Sequence, residues 1–588
     1  MSKLQRLKSA NTLSDVAHLL GFKPKALSFI TRVTPPAARY IEFDIPKRSG
    51  GTRRICSPNK QLSLLQSRLA ELLNECEVEI AQQRSIKRHV AHGFRKGYSI
   101  LTNADVHRGR RYVLNIDLTD FFGTIHFGRV KGFFENSLDF QLKAEPALVL
   151  AQIACHEGKL PQGSPCSPVI SNLIANILDM RLVALSKRHG CSYTRYADDL
   201  SFSTSKLIFS DALATPSEAN KSIWQAGPDL IAAVHSAGFK INPLKTRVQL
   251  SRSRQDVTGV VVNRQLNTPV EYRRTLRSMV HRFCSTGEYL LQETDPATGK
   301  QKVGTPAQLQ GMLGFAYQVE RWRSRNDEPA SGAQTAMERL LKRFLYYKEF
   351  ASPMLTAIVF EGKTDSVYLR EAIRRSGTAF PMLSKGAGTT FELKVKLHRE
   401  SKIMKKLFGL TSGGDPLKNF IKCYRWEFSR IDGPKGQNPV IVLMDNDDGF
   451  TGTKAMLFNV YKISISSGQQ FIHVWENLYI LLSSPFGGAK HCIEDCFTAS
   501  VLAVKLGIKE FSKTNDFDPN IYYGKEWLAE KVVKPNSATI DFSGFGNLLS
   551  ALQDVILHHS ATMLSARAAN TGVPSLPMPL PIPGGPAP

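Results

Sequence analysis

The sequence predicts a multidomain chain that mixes α/β and α+β architecture, and three observations lead there. At 588 residues it is too long for a single core, so roughly three or four folding units are expected. Apolar strands alternate with helices in two separate stretches, 111–264 and 355–535. A basic helical stretch, 270–350, lies between them and stops at Ala351-Ser352-Pro353.

In chain order, residues 1–45 read as a small helical leader, amphipathic at Ser14-Asp15-Val16-Ala17-His18-Leu19-Leu20. The basic run from Ile45 through Gly50, Gly51, Arg53 and Arg54 to Ile55 predicts a hairpin whose loop presents cations. Helical periodicity follows over 61–80. The expected domains are then 46–265, 266–350 and 351–565. A tail at 566–588, with Pro or Gly at nearly every second position from Pro574 to Pro588, is expected to be disordered.

Hydrophobic content of 42% and charged content of 22% are those of a globular protein. The formal net charge of +25 points to a polyanionic partner. It is uneven: residues 1–350 carry 50 Lys and Arg against 30 Asp and Glu, the remainder 26 against 21. The nucleic-acid-binding surface is therefore expected in the first part. Nine cysteines show neither a Cys-x-x-Cys pair nor zinc-finger spacing, which argues against a disulfide framework and for a reducing cytoplasm. No stretch approaches 18 apolar residues in a row, so a soluble cytoplasmic protein without a membrane partner is expected.

The chemistry starts at Tyr193-Thr194-Arg195-Tyr196-Ala197-Asp198-Asp199-Leu200-Ser201-Phe202, read as two strands joined by a tight turn carrying the acids. Like charges so close repel unless a cation sits between them or solvent screens them. Upstream, Tyr112-Val113-Leu114-Asn115-Ile116-Asp117 is an apolar strand ending in a carboxylate, where a ligand belongs in an open sheet. Asp117 beside Asp198 and Asp199 suits Mg²⁺, with Mn²⁺ as a substitute. Two such ions ~4 Å apart activate a 3′-hydroxyl and stabilise a leaving pyrophosphate. Asp120 either joins these acids or caps the following helix. Leu160-Pro161-Gln162-Gly163-Ser164-Pro165 predicts a turn into a helix near Ser167, its N-terminus facing a phosphate or template backbone. Gly238-Phe239-Lys240-Ile241-Asn242-Pro243-Leu244-Lys245 offers Lys245 to a triphosphate.

This ordered set resembles the palm of a reverse transcriptase. The resemblance implies a right-hand fold: fingers and palm over 46–265, and a thumb over 266–350. It implies that Asp117, Asp198 and Asp199 bind Mg²⁺, that Phe122 is a deoxy-selective gate, that Arg54 meets the incoming dNTP, and that Gln162 packs near the template or that nucleotide. Asn103-Ala104-Asp105-Val106-His107 and Val257-Thr258-Gly259 resemble signatures of retron reverse transcriptases. Those enzymes copy a cognate structured non-coding RNA from a guanosine 2′-hydroxyl into branched multicopy single-stranded DNA. On that resemblance Asn103, His107, Val257, Thr258 and Gly259, with Arg273 and Arg274 of the thumb, bind RNA.

A second set of acids follows. Leu355-Thr356-Ala357-Ile358-Val359-Phe360 ends in Glu361-Gly362-Lys363-Thr364-Asp365, and Pro439-Val440-Ile441-Val442-Leu443-Met444 runs into Asp445-Asn446-Asp447. Two parallel-type strands would bring Glu361, Asp445 and Asp447 to one sheet edge. This resembles the TOPRIM domain of topoisomerases, primases and overcoming-lysogenisation-defect nucleases. It implies metal at Asp445 and Asp447, Glu361 as acid/base or ligand, and Asp365 as a brace. Glu494, in Ile493-Glu494-Asp495, is implied as a second-metal ligand. Lys525 is either a transition-state cation or a surface lysine. A retron reverse transcriptase fused to such an Mg²⁺-dependent nuclease implies antiphage defence, with the branched product restraining the effector, in a homo-oligomer on one reading. Two alternatives stand beside it: a polymerase whose TOPRIM portion only binds nucleic acid, and a non-enzymatic RNA-binding scaffold.

Overall fold

A computed structural model describes residues 1–571 apart from 48–49, 87, 219, 222, 296–297, 324–333 and 515. The chain divides into two compact units. Met1–Tyr272 form most of the first; Arg273–Tyr317 and the described residues beyond 333 form the second. The helix Gly546–Thr571 continues past the tail boundary expected at 566, and the rest of that tail lies outside the described residues.

The first unit opens with short helices whose starts are boxed by Ser2 and Thr12. Strands β1 (Tyr40–Pro46) and β2 (Thr52–Pro58) then form the expected hairpin. β1 begins inside the stretch read as a helical leader; Ile41, Phe43 and Ile45 alternate with Glu42 and Asp44 as in a strand, yet these side chains stay exposed rather than burying one face. Asn59 caps the helix Lys60–Gln83, accepting from Leu62 N at 2.9 Å, and that helix buries Leu62, Leu65, Leu69, Leu72 and Leu73. The central sheet is antiparallel, in the order β4-β5-β3-β6: β3 (Tyr112–Asp117), β4 (Ser192–Tyr196), β5 (Asp199–Thr204) and β6 (Arg247–Leu250). A small ladder, β7 (Asp256–Val257) with β8 (Val260–Val261), follows.

The helix Ser167–His189 is long and apolar enough to cross a membrane by length and composition, contrary to the expectation from apolar runs. Most of it is buried: Ile170, Ala175, Leu178 and Leu182 pack in the core of this unit. Its polar residues Ser171, Asn172 and Asp179 interrupt the run, which is why run length alone passed it over.

The second unit is built on a five-stranded sheet. Its order is β10-β9-β11-β13-β12, with β9 (Thr356–Phe360), β10 (Val395–Leu397), β11 (Val440–Met444), β12 (Phe471–Trp475) and β13 (Leu478–Leu482). All but β12 run parallel, and every residue of β9, β11 and β13 is buried, as a sheet covered on both faces requires.

A boundary was expected at Ala351, but packing divides the chain near residue 272. Aromatic side chains explain the difference. Phe283 packs on Phe344 (ring centroids 5.5 Å apart) and Tyr347 (5.1 Å), and Phe350 packs on Phe420 (4.9 Å). Tyr424 Oη donates to Phe350 O at 3.0 Å, and Gly433 N to Cys284 O at 3.1 Å. Most of the stretch read as a thumb, Arg273–Tyr317 and residues 334–350, therefore packs in the same unit as the parallel sheet.

Candidate functional site

Asp117 ends β3 and stands in register with Asp199, which begins β5. The turn between β4 and β5 is tight because Ala197 takes the left-handed conformation (φ +57°). Leu118 N donates to Asp198 O at 3.0 Å, tying that turn to the end of β3. One sheet end thus carries all three acids. Burial raises the Asp198 pKa, and Asp117 adds to the rise. Asp199 keeps accessible surface, yet protein surrounds it closely. Desolvation, then Asp198 and Asp117, pushes it up to about 7.

Three oxygen-donor groups repelling one another at a cleft fit a hard divalent cation such as Mg²⁺. Lys245 Nζ donates to Asp117 Oδ2 at 2.9 Å, which raises the lysine pKa, and Asn242 Nδ2 donates to Oδ1 at 3.3 Å. The lysine offered to a triphosphate here steadies the first acid. Asp120 is not a helix cap. His126 caps the helix Phe127–Asn136, its Nδ1 accepting from Arg129 N at 3.2 Å, while Asp120 sits in a left-handed turn at φ +45°.

A cleft of about 1220 Å³ joins the acids to the β1–β2 hairpin, and Arg53, Arg54, Phe122, Gln162, Asp198 and Lys245 line it. Phe122 is half-buried against Phe94 and Phe121. Gln162 O accepts from Cys56 N at 2.8 Å, so the Pro161-Gln162-Gly163 turn is fastened to β2. Arg54 pairs with Glu42 and with Glu157 (3.2 Å).

Three residues expected to bind RNA lie in the core. Asn103, His107 and Val257 have no accessible surface, so their side chains cannot touch an RNA. His107 Nδ1 lies 2.8 Å from Ser203 Oγ and its Nε2 2.7 Å from Thr194 Oγ1, and burial drives its pKa down to about 3. The helix Ile100–Val106 packs on β4, β7 and β8, and Thr258 Oγ1 donates to Ile100 O at 3.4 Å. The two signature strings therefore meet, as packing. Gly259 and Arg274 are exposed, and Thr258 and Arg273 half-buried.

Sequence reasoning missed what holds the turn from behind. Arg195 is fully buried. It donates through Nε and Nη2 to the Asp179 carboxylate (2.8 and 2.7 Å) and through Nη1 to Asn172 Oδ1 and Ala197 O (both 3.1 Å). Tyr193 Oη also donates to Asp179, at 2.8 Å. A Cβ on Gly93 would lie 2.6 Å from Ala197 N, so only glycine backs the turn this closely. An arginine on the inward face of a buried strand was the available signal.

In the second unit Glu361 follows β9 and Asp445 follows β11, two neighbouring parallel strands. Glu361 Oε2 accepts from Asp445 N at 3.2 Å, and Asp445 Oδ1 accepts from Ile493 N at 3.0 Å. Burial, then Asp365, Glu361 and Glu494, pushes Asp445 up to about 8. Burial likewise raises Glu361, and takes Asp365 to about 6. Asp365 Oδ2 accepts from Gly362 N at 2.8 Å, the bracing expected of it. Glu494 is fully buried; Lys525 holds its Oε2 at 3.0 Å, and its Oε1 has no hydrogen-bond partner. An orphaned buried carboxylate oxygen beside raised acids fits a cation. Asp447 is exposed and accepts from Gly449 N at 2.8 Å.

The profile of the family described as reverse transcriptase (RNA-dependent DNA polymerase) matches residues 45–262. Retron Mx162 reverse transcriptase of Myxococcus xanthus is 33% identical over 353 residues, covering 54% of this chain and 70% of that protein. The chain belongs to the retron reverse transcriptases. Retron Ec86 reverse transcriptase of Escherichia coli is 34% identical over 250 residues, covering 42% of this chain and 71% of its own length. Retron Mx65 reverse transcriptase of Myxococcus xanthus is 36% identical over 289 residues, and the match spans 62% of it. A solved telomerase from Candida albicans aligns at a TM-score of 0.27 and 10% identity over 52% of this chain and 60% of its own, too low to carry an argument. In this retron reverse transcriptase Asp117, Asp198 and Asp199 fall inside the matched 45–262, whereas Glu361, Asp445 and Glu494 lie beyond it.

Proposed function

We propose that the first unit is an RNA-directed DNA polymerase that makes branched multicopy single-stranded DNA on a cognate non-coding RNA in the bacterial cytoplasm. The second unit is proposed as a TOPRIM nuclease effector acting in antiphage defence. The observation that carries the polymerase reading is the pairing of Asp117 with Asp199 across β3 and β5, with Asp198 in the adjoining turn at the cleft. When bound, Mg²⁺ would be held by these carboxylates and would supply charge stabilisation for phosphoryl transfer. Lys245 and Asn242 fix Asp117, Arg54 presents a guanidinium to a triphosphate, and Phe122 narrows the cleft at the sugar.

Restraint of the effector by the product, within one chain or a homo-oligomer, gains from high effective concentration. The test is to purify the full chain with its nucleic acid and sequence what it carries. A short branched DNA–RNA is expected, together with dNTP incorporation that Asp198→Asn abolishes. Random cellular RNA with the variant still active would sink the reading.

A second reading, in which the second unit only binds nucleic acid, draws on the Lys525–Glu494 pair, which already occupies one oxygen of a proposed ligand. Unchanged cleavage or toxicity in Glu361→Gln would favour it; loss of both favours the nuclease.

A further inference from the structure

Among the described residues, Glu42, Cys56 and His156 bring three metal-ligating atoms within 4.8 Å of one another, a convergence that neither acidic cluster reaches. We propose that they form a separate site for a zinc-type divalent cation on the wall of the cleft beside the β1–β2 hairpin. The proposal stands independently of the polymerase reading.

The three ligands come from three segments that the fold fixes. Glu42 on β1 and Cys56 on β2 are register partners, so their side chains share one face of the hairpin. His156 arrives from the turn after the helix Ala144–Ala154. Its Nε2 lies 2.7 Å from Glu42 Oε1, and Cys56 Sγ lies 3.9 Å from the same oxygen.

Each ligand is held from outside the site. The His156 ring packs on Tyr40 with centroids 4.1 Å apart, and Tyr40 Oη accepts from Gln66 Nε2 at 2.8 Å. Cys56 N donates to Gln162 O. Arg54 takes Glu42 Oε2, at 3.1 Å from its Nε, leaving Oε1 to face the thiol and the imidazole. A carboxylate fastened through one oxygen and free at the other is how second-layer hydrogen bonds orient a ligand.

The donor set chooses the ion. Thiolate, imidazole and one carboxylate suit Zn²⁺ and exclude Mg²⁺, which demands oxygen. Binding releases the thiol proton to solvent. Three protein ligands leave a fourth position, and because Cys56 and His156 line the cleft, it opens there to water or a ligand group. The ion would pin the hairpin to the segment that leads into Pro161-Gln162-Gly163. Sequence spacing hid the site, since its cysteine and histidine are about a hundred residues apart.

The test uses the full chain purified without a metal-affinity step. Elemental analysis is expected to find roughly one zinc per chain. Exchange into Co²⁺ is expected to give a thiolate-to-cobalt charge-transfer band in the near ultraviolet. Cys56→Ser should remove that band, and Cys155→Ser should leave it. A folded wild-type chain with neither zinc nor a cobalt band overturns the proposal, and so does a band that survives Cys56→Ser. Glu42 would then serve only as counter-ion to Arg54 and as a hydrogen-bond partner of His156.

Discussion

Arg195 carries its charge where no water reaches, and the groups it holds lie behind the Ala197-Asp198 turn. Replacing it by Met leaves the Asp179 carboxylate buried with only Tyr193 to donate to it. Removing one partner of such a pair costs about 3–5 kcal/mol. Urea unfolding of Arg195→Met should show that loss, and the double variant Asp179→Leu/Arg195→Met should recover part of it. A wild-type midpoint in the single variant would show the pair to be idle. His107 sets a pH limit by the same logic. Its folded pKa of about 3 lies below its ordinary 6.5, so the unfolded chain takes a proton that the folded chain refuses. Stability is therefore full above about pH 6.5 and falls as pH drops toward 3, by about 1.4 kcal/mol per pH unit from this residue. His107→Gln should flatten that acid limb in denaturation series between roughly pH 4.5 and 7. A limb as steep as the parent's would assign the sensitivity to other groups.

At the scale of elements, the turn that precedes the helix Ser167–His189 shows why hairpin and sheet work as one surface. Gly163 stands at φ +117°, and a Cβ there would lie 2.7 Å from Cys56 O. Gly163→Ala must strain the backbone, at about 1–3 kcal/mol, or move the turn off β2. Moving it displaces Gln162 in the cleft, so the KM for dNTP should rise several-fold with a smaller fall in kcat. Steady-state incorporation kinetics check this, and an unchanged KM with unchanged stability would refute the close approach. The acids were legible because their signal is local: an apolar strand that ends in Asp117, and a hairpin whose turn is Asp198 itself. Asn103 and His107 were legible as a pattern but misread, because a signature string does not say whether a side chain faces RNA or core. The Asp179–Arg195 pair was hidden because its partners lie sixteen residues apart, one on a helix and one on a strand, and no local pattern joins them. The aromatics between 283 and 350 were present in the sequence, but the basic residues around them drew the reading toward RNA alone.

Across the whole molecule, the division of packing changes what the charge means. The excess of Lys and Arg over residues 1–350 points to RNA, yet part of that stretch, from Arg273 to Tyr317, packs in the same unit as the parallel sheet that carries Glu361 and Asp445. Arg273 and Arg274 therefore belong to the second unit by packing, through Phe283 and Cys284 of the same helix. A partner gripped there stabilises that unit directly, because any ligand that binds only the folded state shifts unfolding by mass action. Two compact units should give two calorimetric transitions in the free chain. Cognate RNA at about a hundred times its Kd should stabilise the transition of the second unit by about 2.7 kcal/mol, a rise of several degrees. Replacing Arg273 and Arg274 by Gln should shrink that rise while leaving the free chain's transitions in place, and added salt should shrink it further as phosphate contacts weaken. If RNA moved only the transition of the first unit, the grip would lie in that unit and not on Arg273 and Arg274.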